Sequence, residues 1–129
     1  MESLTIKTKK EKELVDITEN INEVIRKNKF NDGTITLFLT HTTAALTTID
    51  QDPGVDKDLF MALDKVVPKL NYHHPHNPGH MPSHVLSSII GTSLSLVVEN
   101  GELILGPWQL VVLIELDGPK ERIIYISLK

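Results

Sequence analysis

The sequence predicts an α+β fold, a β-sandwich-like set of antiparallel or mixed sheets carrying two or three helices. Three observations lead there. Leu94, Leu96 and Val98 alternate up to Asn100-Gly101, a dipeptide suited to a two-residue type I′ hairpin, and Leu103 and Leu105 return on the partner strand. Trp108 to Leu116, WQLVVLIEL, is almost continuously apolar, as a strand covered on both faces is. Two other stretches repeat apolar residues at helical rather than strand spacing.

In chain order, Leu4 and Ile6 alternate with Thr5 and Lys7 as a half-buried strand does, and Lys7 to Lys12 reads as a solvated edge or turn. Asp16 and Glu19 are spaced as in a capping box, and Ile17, Ile21, Val24 and Ile25 share one helical face. Gly33 opens a strand, GTITLFLTHTTAALTTID, with Ile35, Leu37 and Leu39 on one side. His41 falls late in it, in phase with Leu39, where a core histidine satisfied by a neighbour is the plain reading. Asp52-Pro53-Gly54 turns the chain into a second helix with Val55, Leu59, Leu63 and Val66 at helical spacing, closed by Pro68. The acids Asp50, Asp52, Asp56 and Asp58 match the dipole at that helix's start. Pro82 begins a third helix, with Val85, Leu86, Ile89 and Ile90 as its apolar face and Gly91 at its end. Asp117-Gly118-Pro119 turns into a last strand from Arg122 to Leu128.

The chain has 129 residues, with 40% hydrophobic and 23% charged, which suits one domain over residues 1–129. No cysteine is present, so disulfides, thiolate ligands and a Cys nucleophile are excluded. A net charge of -4 gives no general attraction to nucleic acid or an anionic membrane. The charged start MESLTIKTKKEKELVD and the absence of a long apolar run point to a cytoplasmic protein.

Five of the six histidines, His73, His74, His76, His80 and His84, crowd into NYHHPHNPGHMPSH, and the sixth is His41. Imidazole is a frequent zinc ligand, so a metal site is the leading expectation, against a solvated His- and Pro-rich loop. His80 and His84 have the spacing of a zinc-protease motif, but Met81 stands where that motif needs its glutamate.

The segments HTTAALTTIDQDPGVDKDL, MPSHVLSSIIGTSLSLVVENGELILGPWQ and IELDGPKERI, running from about Gly33 to the end, resemble the small YjbQ-like family, whose members carry the name secondary thiamine-phosphate synthase. That resemblance implies a compact α+β fold on a β-sandwich, a homotrimer, and a histidine-lined site for a divalent metal, zinc or else magnesium. His41, one histidine of the YHHPH run and His84 match the family's histidines. Counting back from His84 favours His73, with His74 and His76 as alternatives, and His80 is a possible fourth ligand. The chain departs from the family pattern at His80, Pro107 and Lys120.

The activity implied is thiamine-phosphate-synthase-like, joining two precursors with loss of pyrophosphate. Three imidazoles and an open position suit a Lewis-acid centre. Lys120 and Arg122 are the expected clamp on a phosphorylated small molecule, with Thr42 and Thr43 as further donors. Glu115 and Asp117 are the candidate acid/base groups, and Trp108 and Gln109 the candidate pocket floor. The alternative is a non-catalytic homotrimeric module that binds a metal or a phosphometabolite.

Overall fold

The computed structural model describes residues 1–129. Its elements run β1 (Glu2–Lys7), β2 (Glu13–Asp16), α1 (Thr18–Lys27), β3 (Gly33–Leu39), β4 (Ala44–Asp50), α2 (Val55–Val66), α3 (Met81–Ile90), β5 (Ser93–Glu99), β6 (Glu102–Leu103), β7 (Gln109–Glu115) and β8 (Glu121–Leu128). A short 3-10 turn, Pro78–His80, leads into α3. The strands form two sheets, ordered β1-β8-β3-β5-β6 and β2-β7-β4, and every pairing is antiparallel. The α+β sandwich predicted from the sequence is what forms.

The continuous apolar run around β7 follows from its position. Val111 and Leu113 face the core between the sheets, with Ile35, Leu37, Ile124 and Ile126 opposite. Val112, Ile114 and Leu116 point the other way into a second core with Leu86, and Leu59, Phe60 and Leu63 of α2 pack against it. A strand with both faces covered has no position where water would favour a polar residue. Each such side chain contributes about 1.5–3 kcal/mol by leaving water. The other half of α1's sequence pattern closes the first core, where Ile21, Val24 and Ile25 are buried.

Four sequence expectations need correction. The single strand expected over residues 33–50 is two strands in different sheets, because the chain crosses between sheets at residues 40–43. β2 went unread because four residues, ELVD, follow a lysine-rich run and are too few to show a period. The Asp16/Glu19 capping box does not form: the N-cap is Ile17, without a side-chain cap, and Asp16 Oδ1 accepts the Thr18 N–H at 3.0 Å. The return strand after the hairpin covers only Glu102–Leu103, so Leu105 packs on the core from beyond it. The hairpin turn itself is as predicted, with Asn100 and Gly101 both at positive φ, 53° and 79°.

The outward face of the five-stranded sheet is only partly polar. Phe38 of β3, Ile123 and Tyr125 of β8 and Val97 of β5 lie exposed on it, and Phe38 sits directly opposite Tyr125. No helix is long and apolar enough to cross a membrane.

Candidate functional site

The crossing from β3 to β4 makes the site. Leu39 is the last inward residue of one sheet and Ala44 the first buried residue of the other, so residues 40–43 must bend between layers. His41 stands in that bend, half-buried. The backbone N–H of Ile123 donates to its Nε2 at 3.0 Å. A nitrogen that accepts carries no proton, so the ring is the neutral tautomer with its proton on Nδ1. Burial, and then the Arg122 guanidinium, hold this imidazole below the usual histidine range, partly opposed by Glu115. His41 lines a cleft of about 320 Å³ together with Phe38, Thr40, Thr42, Ser88 and Thr92.

Behind His41 lies a buried ion pair. Arg122 is 2% exposed and Glu115 0%. The guanidinium is bidentate on the carboxylate, with Nε to Oε1 at 2.9 Å and an Nη2 contact to Oε2, and Nη2 also donates to the Thr43 carbonyl and hydroxyl oxygens at 3.1 and 2.9 Å. Glu115 further accepts from the Thr8 hydroxyl at 2.7 Å and from the Leu116 and Asp117 N–H groups at 3.0 and 3.1 Å. No buried side-chain polar atom in the chain lacks a partner. Burial pushes the Glu115 carboxyl up, but hydrogen bonds from Arg122, Thr8 and the Asp117 N–H outweigh it and leave the group below the usual carboxylate range.

Both shifts have a consequence for stability. His41 takes up its proton less readily folded than unfolded, so the folded state loses stability as pH falls through the imidazole range. Glu115 contributes stability above the ordinary carboxylate range, which is lost only as pH falls through its lowered value. A melting curve against pH should therefore descend in two steps. His41→Gln, whose amide oxygen can still accept from Ile123, should remove the upper step alone; if that step survives, His41 is not its source.

The remaining candidates are spread out. Asp117 accepts from Lys120 Nζ at 2.9 Å and lies 3.3 Å from His80 Nδ1. His74 and His84 stack with ring centroids 5.1 Å apart and planes 25° apart, and His76 meets His74 edge-on at 6.3 Å. His74 Nδ1 accepts the Asn77 N–H at 3.1 Å, and His73 is exposed. Trp108 and Gln109 line a different cleft, beside Asp50 and Asp52.

Imidazole lone pairs lie in the ring plane, so two stacked rings do not converge on one ion, while His41 and His74 each have a nitrogen already engaged by backbone. In agreement, no three His, Asp or Glu side chains come together in a way that would hold a metal ion. Within one chain, then, the residues His41, His73, His80 and His84 do not fit the expected metal.

A family model described as UPF0047 protein YjbQ-like matches residues 2–129. The chain belongs to this family. A UPF0047 protein of Methanocaldococcus jannaschii is 37% identical over 124 residues, 95% of this chain and 89% of that one. The UPF0047 protein YugU of Bacillus subtilis is 36% identical over 129 residues, covering 99% and 98%. A crystal structure of an uncharacterized conserved YjbQ/UPF0047 protein from Clostridium acetobutylicum superposes with a TM-score of 0.90 at 32% identity, over all of both chains.

These YjbQ-like relatives change the functional expectation. None of their names carries an enzymatic activity, and a YjbQ-like structure from Sulfolobus solfataricus, with a TM-score of 0.90 and 27% identity, is described as of unknown function. With no metal-holding group in the chain either, the zinc-dependent, thiamine-phosphate-synthase-like transferase expected from the resemblance is not supported. The phosphate clamp meets a physical objection as well: Arg122 is enclosed and spent on Glu115 and Thr43, and Lys120 is paired with Asp117.

Sequence reading also passed over Thr8, which ties β1's end to Glu115 and to the Lys120 N–H, and Ser88 and Thr92 in the cleft wall. Thr8 had a signal. It continues the inward parity of Leu4 and Ile6.

Proposed function

We propose that this YjbQ-like chain is a binding protein for a small polar molecule, held in the His41 cleft at a surface where three copies of the chain meet. One observation carries this reading: the mouth of the cleft runs into the uncovered apolar strip of the five-stranded sheet. Phe38 belongs to both, and Ile123, whose N–H fixes His41, is exposed on the same strip with Tyr125. A lone chain leaves these side chains in water beside the His41 cleft. A second copy laid over the strip would bury them and roof the cleft at once. Three copies is the assembly the family resemblance implies.

The group recognised would be a hydrogen-bond acceptor. His41 Nδ1–H and the hydroxyls of Thr40, Thr42, Ser88 and Thr92 supply donors, and no unpaired cation lines the cleft. A phosphorylated small molecule falls within that class, bound through hydroxyls and imidazole rather than through an ion pair.

Light scattering on the wild type and on Phe38→Asp/Tyr125→Asp tests the assembly. A trimer that falls to monomer in the variant is expected; a wild-type monomer would sink the reading. A thermal-shift screen with phosphorylated and uncharged sugars tests the cleft. A ligand at about a hundred times its Kd adds about 2.7 kcal/mol of stability, which His41→Ala should abolish.

A further inference from the structure

A second cleft lies away from His41. About 510 Å³ in volume, it lies where β4 ends and β7 begins, Asp50 being the register partner of Gln109. Its walls are Asp50, Asp52, Gly106, Pro107, Trp108 and Gln109. Trp108 is 60% exposed, although its backbone is pinned by the Gln51 N–H donating to its carbonyl at 3.0 Å.

What the walls have left to offer is specific. The Gln51 amide donates to the Pro107 carbonyl at 2.9 Å, and the Gln109 amide is spent at both ends, accepting from Gly106 N–H at 2.9 Å and donating to Thr48 Oγ1 at 3.3 Å. The donors are thus largely used within the wall. Asp50 and Asp52 have no ion-pair partner, since the chain's seven salt bridges involve neither. Two carboxylates outside any ion pair remain beside the exposed Trp108, Asp50 Oδ1 accepting the Asp52 N–H at 3.4 Å, with Asp56 and Asp58 in the first turn of α2 nearby in sequence.

We propose that this cleft binds a small organic cation, an ammonium seated over the Trp108 ring with Asp50 and Asp52 as counter-charges. Indole is the best of the aromatic rings for a cation, and the attraction grows where the ammonium is partly desolvated. The same walls repel phosphate, so the site is separate from the His41 cleft in place and in chemistry. A sugar would also stack on indole and its hydroxyls could donate to the carboxylates, but being neutral it would leave both negative charges without a counter-charge.

Trp108 is the only tryptophan, so its emission reports on this cleft alone. Emission of the full-length wild type should change saturably with choline and not with its uncharged carbon isostere, dimethylbutanol. Asp50→Asn/Asp52→Asn, checked for folding by circular dichroism, should weaken choline binding by about tenfold, equivalent to about 1.4 kcal/mol. The proposal is overturned if the isostere or methyl glucoside titrates as well as choline, or if choline gives no saturable change. It is equally overturned if emission responds only to dilution of the assembly, which would make a second copy of the chain the occupant.

Discussion

Replacing Arg122 with methionine is expected to cost about 3–5 kcal/mol, because it strands the Glu115 carboxylate in a site with no access to water. Little of that loss would come from packing, since methionine fills much of the same volume. The charge itself is the problem. Arg122→Met/Glu115→Gln should therefore be more stable than Arg122→Met alone, by about 1–3 kcal/mol, since an amide oxygen in the Oε2 position keeps accepting from the Leu116 and Asp117 N–H groups while the amide NH2 in the Oε1 position can donate to the Thr8 hydroxyl. The pH response supplies an internal check. In the wild type Glu115 is held below the carboxylate range, so acid costs stability. In Arg122→Met the same carboxyl, buried without its cation, should titrate above that range, and acidification through its raised value should restore part of the loss. Chemical denaturation at several pH values measures all of this. A single variant within about 1 kcal/mol of wild type would mean that the pair is not what holds β7 to β8.

That pair also shows what a sequence of this kind reveals and conceals. Arg122 stands two and four residues before Ile124 and Ile126, at the inward parity of a strand, and Glu115 ends a run of buried apolar residues. Two opposite charges at inward positions call for each other, so the ion pair was readable from the parity already used to place the strands. The unbroken apolar run marked β7 as doubly covered, and helical spacing of apolar residues beside Pro68 and Pro82 placed α2 and α3. The bend at residues 40–43 was hidden for the opposite reason. No glycine or proline marks it, and the apolar alternation runs through His41 in phase, so nothing local records that the chain has changed sheets. The histidines failed differently again. Their density says that rings are near one another, but ligation depends on the direction of in-plane lone pairs, and His74 and His84 turn out stacked.

Gly118→Ala is the second large effect expected, at about 3 kcal/mol, the upper end of the usual cost of overpacking. The reason is contact rather than backbone freedom. Gly118 is not among the residues at positive φ, but a Cβ there would collide with the Lys10 carbonyl oxygen and lie 2.7 Å from Glu115 Cγ and 2.9 Å from Thr8 Oγ1. None of the three can yield cheaply. Lys10 is backbone, Glu115 is clamped by Arg122, and Thr8 is bonded to both Glu115 and the Lys120 N–H. The Gly118 N–H, donating to the Glu11 carbonyl at 2.8 Å, ties the turn to the same segment that the new methyl group would push away. Gly54→Ala makes the comparison, since Gly54 has open space around it but φ of 88°, and should cost only about 1–2 kcal/mol through the left-handed backbone. If denaturation ranks the two the other way, the turn after β7 is looser than its contacts imply. If the ranking holds, the glycine of the E-x-D-G-P block is required by the close approach of β1's end to the Glu115 network, whatever the neighbouring cleft binds.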